Sequence, residues 1–141
     1  MMKRGRRIAF DYGDVRIGVA VSDSDSILSS PLTTLKATDR NLNQLISQIF
    51  SEINPVAIYV GRPALLSGKD GSASEKASEF VAQLATITTV PIEMIDERMS
   101  TISAARNLRD AGRNAKESKE SIDMAAAVAI LDFAIEIEKR K

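Results

Sequence analysis

The stretch VAIYVG at residues 56–61 leaves the fold few options. It is a nearly unbroken apolar run, rich in β-branched residues, closed behind by Pro55 and ahead by Gly61-Arg62-Pro63. A run this short reads as a strand, and one without polar alternation is covered on both faces, the situation of a strand in a parallel sheet. The rest of the chain must therefore supply neighbouring strands and two covering layers.

Upstream, Arg7–Phe10 and Arg16–Ser22 read as strands joined by the turn residues GDVR, a hairpin. A third strand over Leu32–Lys36, after the break at Pro31, extends it to an antiparallel meander. Leu42, Leu45, Ile46, Ile49, Phe50 and Ile53 then recur at helical spacing, with Asp39 as N-cap and Pro55 as terminator. Residues 62–74 form a loop. Ser72 or Ser74 caps a helix that turns Ala77, Phe80, Val81 and Leu84 inward, and PIEMID (91–96) is a further strand. Ser100 opens a helix ending near Gly112, and Ser118 or Ser121 opens a last one running to about Glu138. The order β-β-β-α-β-α-β-α-α predicts an α/β fold. Its mixed five-stranded sheet is antiparallel over the first three strands and parallel thereafter, with helices on both faces. The 141 residues fit one domain, 1–141, with no internal repeat.

The chain has no Cys and no His, which excludes thiolate nucleophiles, Cys-based metal sites and the commonest general base. Chemistry must rest on carboxylates, hydroxyls, Lys, Arg and Tyr. Nineteen basic and nineteen acidic residues cancel, so the whole chain exerts no strong pull on a polyanion. The cations are nevertheless clustered: Lys3, Arg4, Arg6 and Arg7; Arg106, Arg109, Arg113 and Lys116; Lys139, Arg140 and Lys141. Each cluster reads as a basic tail or solvated helix face, and together they give weak support for a polyanionic ligand. No apolar run reaches the roughly 20 residues a membrane helix needs, and MMKRGRR leads into strand-like IAF, so a cytoplasmic protein without membrane contact is expected.

Ligands of open α/β sheets gather beyond the carboxyl ends of parallel strands. Asp11 ends the first strand, Asp96 and Glu97 end PIEMID, and Asp123 opens the last helix, three, four and seven residues before Ala126, Ala127 and Ile130 of its apolar stripe. Each acid alone has an ordinary explanation as an Asx-turn, a strand-end ion pair with Arg98 or a helix-dipole partner. Three such acids together repel one another unless a cation neutralises them, and a cluster of oxygen ligands suits Mg²⁺ or Mn²⁺. Ions so held activate water toward a phosphodiester without a side-chain nucleophile.

The motifs DYGDVRIGVAVSD, VGRPALLSGKDGS, IDERMST with AARNLRDAG, and SIDMAAAVAIL, in this order and spacing, resemble the YqgF/RuvX family over about Arg7 to Phe133. The resemblance implies an RNase H-like fold and a nuclease that processes the 5′ end of pre-16S ribosomal RNA in ribosome biogenesis. The alternatives are a Holliday-junction resolvase acting on branched DNA and a non-catalytic nucleic-acid-binding assembly factor. It implies Asp11, Glu97 and Asp123 as catalytic, metal-holding acids, with Asp96 an alternative to Glu97. Within the motifs, Gly13 lets the backbone turn beside a phosphate, Arg16 and Arg98 contact phosphate or pair with the acids, and Arg62 and Lys69 lie in a loop that closes over the nucleic acid or merely connects. Ser100 and Thr101 cap a helix, and Tyr12 is the one aromatic placed to stack a base. The implied partners are structured RNA, branched DNA and ribosomal precursor particles, the chain acting as monomer or homodimer. Sugar kinases and actin-like ATPases also begin with an acid and glycine on a hairpin, but they enclose ATP between two domains, and this length supplies one.

Overall fold

The computed structural model describes residues 3–62, 72–96 and 116–140, with 62, 72–74 and 116–123 described by their backbone. Five strands, β1 (Arg7–Tyr12), β2 (Arg16–Ser22), β3 (Ser29–Lys36), β4 (Ala57–Arg62) and β5 (Ile92–Asp96), form one sheet in the order β3-β2-β1-β4-β5. β1 pairs antiparallel with β2, and β2 with β3; β1 pairs parallel with β4, and β4 with β5. This is the mixed sheet expected from the element order. The strand VAIYVG takes its anticipated place between two parallel neighbours, and Ile58, Tyr59 and Val60 are all buried.

Strand alternation sorts the side chains into two layers. Ile8, Phe10, Ile17, Val19, Ile58 and Val60 face α1 (Leu42–Ile53) and α2 (Ser72–Ala85), whose Ile46, Phe50, Phe80 and Leu84 complete that layer. Phe10 meets Phe50 and Phe80 edge-on, at 6.1 and 5.4 Å between ring centres, joining both helices to the central strand. On the other face Ala9, Ala20, Tyr59 and Ile95 pack against Ala127, Ile130, Leu131 and Ala134 of α3 (Lys116–Arg140). Alanines on both partners allow helix and sheet to approach closely. Burial pushes the Tyr59 hydroxyl's pKa up, and the neighbouring Arg7 guanidinium opposes the rise.

Several boundaries differ from the sequence expectation. α1 begins at Leu42 after Asn41, which makes no side-chain cap bond. Asp39 acts one turn earlier, its carboxylate accepting the Asn41 N–H at 2.8 Å. The end is as expected: Asn54, at φ 52°, donates to the Phe50 carbonyl at 2.8 Å, and Pro55 follows. β3 begins three residues earlier than the sequence suggests and contains Pro31, which its position at the sheet edge tolerates; the β2–β3 register shifts between Val19 and Ala20 beside it. α3 starts at Lys116, ahead of Ser118. The helix expected over 100–112 lies outside the described residues.

The amino-terminal cations are not a frayed tail. Arg7 is buried, its guanidinium donating to the carbonyls of Gly5 (3.1 Å) and Lys3 (2.8 Å) and to Ser26 Oγ (2.8 Å). Arg6 Nε donates to the Ser22 carbonyl, and Arg4 pairs with Asp25 at 2.9 Å.

The β2–β3 connection is tied by Asp23, whose Oδ1 accepts the amides of Ile27 (2.7 Å) and Leu28 (3.1 Å). The Leu28 and Ile27 bonds hold its pKa below the ordinary 3.8. A folded-state pKa below the unfolded value stabilises the protein above about pH 4 and is lost as pH falls through the folded value. Asp23→Asn should therefore flatten part of the acid limb of a thermal-stability profile below about pH 4. An unchanged limb would remove Asp23 from that account.

Candidate active site

The site begins with the β1–β2 hairpin. Its register places Asp11 opposite Gly18 and Tyr12 opposite Ile17. Asp11 has the strand parity of Ala9, so it points to the face covered by α3, and its side chain is 1% exposed. Gly18 puts no side chain across from it, and the next strand in that row carries Thr34. A buried carboxylate is costly unless neighbours stabilise its charge; Asp11, Arg16 and Thr34 each make further interactions.

The turn after Asp11 needs its glycine for a steric reason. A Cβ at Gly13 would stand 2.7 Å from the Arg16 carbonyl oxygen, a backbone atom that cannot swing aside. Beyond it, Asp14 Oδ1 pairs with Lys76 Nζ at 2.9 Å, tying the turn to the first half of α2, and the Val15 carbonyl accepts the Ala37 N–H at 2.9 Å. The Asp14 carboxylate raises the Lys76 pKa. Sequence reasoning missed the Asp14–Lys76 tether, since nothing in the chain links positions 62 residues apart.

Tyr12 is a different residue from the one expected. It is half-buried with its ring 4.9 Å from that of Phe80, so it serves the α1/α2 layer rather than offering a face to a base.

β5 ends at Asp96, which pairs in register with Arg62 of β4. Asp96 has the parity of Ile92, a member of the α1/α2 layer, whereas Ile95 belongs to the α3 layer with Ala9. Asp96 is therefore directed to the opposite face from Asp11. Position 123 lies on α3 with the helical phase of buried Ala126, Ala127 and Ile130, the side facing the sheet. Arg62 closes β4 and is described by its backbone, while Lys69, Glu97 and Arg98 lie outside the described residues. Among the described residues no three acidic side chains converge on one point; two of the three expected ligands are not in that set. What the described residues bring together at one end of the β1–β2 hairpin is Asp11, Gly13 and Arg16.

These features define an RNase H-like α/β domain with its acidic end on the central strand. The structure of Thermus thermophilus RuvC bound to a Holliday junction substrate superposes with a TM-score of 0.65 at 13% identity, covering 96% of both chains. A second Thermus thermophilus RuvC structure gives 0.53 at 15% identity. At such identities the likeness establishes the fold. The family profile described as "RuvX: Holliday junction resolvase" matches residues 5–136. A Streptomyces coelicolor relative is 43% identical over 144 residues, covering 98% of this chain and 84% of that one; a Cutibacterium acnes relative is 43% identical over 133 residues, covering 94% and 82%. Both bear the name "Putative pre-16S rRNA nuclease". The chain belongs to the RuvX family, and its enzyme class is that of a nuclease.

Gly13→Ala tests the turn. The backbone clash should cost about 1–3 kcal/mol, seen as a melting temperature several degrees lower, together with weaker amide-exchange protection at Asp11 and Tyr12. Wild-type stability in this variant would show that the turn has room to relax.

Proposed function

We propose that the chain is a divalent-metal-dependent nuclease that processes the 5′ end of pre-16S ribosomal RNA in the cytoplasm. Asp11, Glu97 and Asp123 hold Mg²⁺ or Mn²⁺ in this reading. One observation carries it: a carboxylate, Asp11, is almost wholly buried at the carboxyl end of the central strand, across from a glycine and on the sheet face that α3 covers.

The residues fit such an ion. Asp11 offers hard oxygen donors in a setting that disfavours an unneutralised charge. The parity of Asp96, directed to the other face, supports Glu97, which the family motif supplies, as the second ligand in this reading. When bound, the ion lowers the pKa of a water and stabilises the leaving oxygen of a phosphodiester. The water oxygen bonds to phosphorus, the bond to the leaving oxygen breaks, and that oxygen receives the proton. The chain's own residues prepare this step. Asp11 is fixed by the register of β1, Gly13 keeps bulk away from the turn, and Arg16 meets phosphate oxygens from the start of β2. The family motifs add Arg62, Lys69 and Arg98 as further phosphate contacts in this reading. No side-chain nucleophile is required, in keeping with a chain that lacks His and Cys.

The family description favours a second substrate, the four-way DNA junction. Cleavage assays on precursor 16S RNA and on four-way junctions, each with Mg²⁺ or Mn²⁺, separate the two. Binding without cleavage of either would point to an assembly factor.

Asp11→Asn should lower cleavage by roughly 100-fold or more, the scale of losing one preorganised electrostatic group. In a separate thermal melt, Mg²⁺ or Mn²⁺ at about 100 times its dissociation constant should stabilise wild type by about 2.7 kcal/mol and leave Asp11→Asn nearly unmoved. Equal metal stabilisation of both proteins would sink the assignment of Asp11 as a ligand.

A further inference from the structure

The β2–β3 pairing sets Arg16 directly opposite Lys36, one step beyond the Gly18–Thr34 pair on the same strands. Between these rows, Ile17 and Leu35 are buried in the α1/α2 layer. Alternation therefore puts Arg16 and Lys36 on the other face, the one to which Asp11 points. Two cations directly opposite in an antiparallel pair repel each other, and the Ala37–Val15 backbone bond pins the strands together at this end. Lys36 is exposed, and among the described residues no acid pairs with it. Lys76 at the same end is by contrast matched by Asp14. From Asp11 to Lys36 the path crosses two strand spacings and two residues, roughly 12 Å between Cα atoms.

We infer that Arg16 and Lys36 form a phosphate subsite that leads a single-stranded segment of the substrate from Asp11 across the ends of β2 and β3. The inference rests on the nuclease reading and extends it, giving the strand a direction toward the β3 edge rather than the β5 edge. A phosphodiester backbone supplies the negative charge that two cations brought into register on one face attract, and Lys36 is the member of the pair that solvent, and hence a polyanion, reaches freely.

The test is the salt dependence of binding to a fluorescein-labelled single-stranded segment of precursor 16S RNA, measured by anisotropy in EDTA to prevent cleavage. Each phosphate contact on a single strand contributes about 0.7 to the slope of log K against log salt. Lys36→Met and Lys36→Gln should each flatten the slope by about that amount. Lys36→Arg should restore it, and Arg4→Met at the far end of the sheet should keep the wild-type slope. Melting temperatures of the Lys36 variants should be no lower than wild type, since Lys36 is exposed and no acid among the described residues pairs with it. A wild-type slope in Lys36→Met and Lys36→Gln, or an equal loss in Arg4→Met, overturns the subsite. If wild type cleaves precursor RNA while the Lys36 variants bind as it does, the subsite fails alone. If wild type neither binds nor cleaves this RNA, the parent reading fails with it.

Discussion

Everything in this molecule hangs on the double pairing of β1. It lies antiparallel to β2 and parallel to β4, and Ile8, Ala9 and Phe10 are wholly excluded from solvent. Because side chains alternate, this one register sends Ile8 and Phe10 into the aromatic layer under α1 and α2, and Arg7, Ala9 and Asp11 toward α3. A slip of one residue would exchange the two sets, driving a carboxylate and a guanidinium between Phe50 and Phe80. The orientation of Asp11 is thus enforced by apolar burial along the whole strand and owes little to the turn that follows it.

The same face of β1 carries a buried charge at each end, and the fold treats them differently. At the amino end, Arg7 is absorbed into structure by two backbone carbonyls and Ser26 Oγ, neutral acceptors drawn from the chain around it. Asp11 stands at the carboxyl end, where crossover connections of an α/β sheet leave a crevice for ligands. Arg7 is therefore held by structure, and Asp11 is the buried charge that the proposed function puts to use, although in sequence both read as polar residues bounding the apolar IAF.

Much of this was legible beforehand where apolar pattern decides structure. VAIYVG announced the parallel sheet, the spacing from Leu42 to Ile53 announced α1, and the phase of Ala126, Ala127 and Ile130 announced the sheet-facing side of α3. Reading failed where tertiary context overrides local signal. Pro31 looked like a break, but an edge strand accommodates it. Tyr12 looked like a stacking platform, but Phe80 claims its ring. Arg7 looked like part of a basic tail, because no local pattern reveals that its side chain enters the α3 layer. The placement of Gly18 across from Asp11 could have been counted from the hairpin turn, and it is the most informative relation that the motif contains.

The charge clusters carry the sharpest lesson, because proximity in sequence and proximity to the site are opposed. Arg4, Arg6 and Arg7 belong to the amino end of β1, and Lys139 at the end of α3 is close enough to act on Asp23 there. From Arg7 to Asp11 is four residue steps, roughly 13 Å along the strand, already beyond the Debye length of about 8 Å at physiological salt, and Arg4 lies farther still. The solvent-exposed Arg4 is therefore screened from the end that holds Asp11. Arg16, Lys36, Arg62 and Lys76, scattered along the chain, are instead gathered by strand register and the hairpin tether at the end that holds Asp11. A chain of zero net charge can therefore set cations beside the acid it buries, since the local arrangement, and not the sum, determines what a phosphate meets.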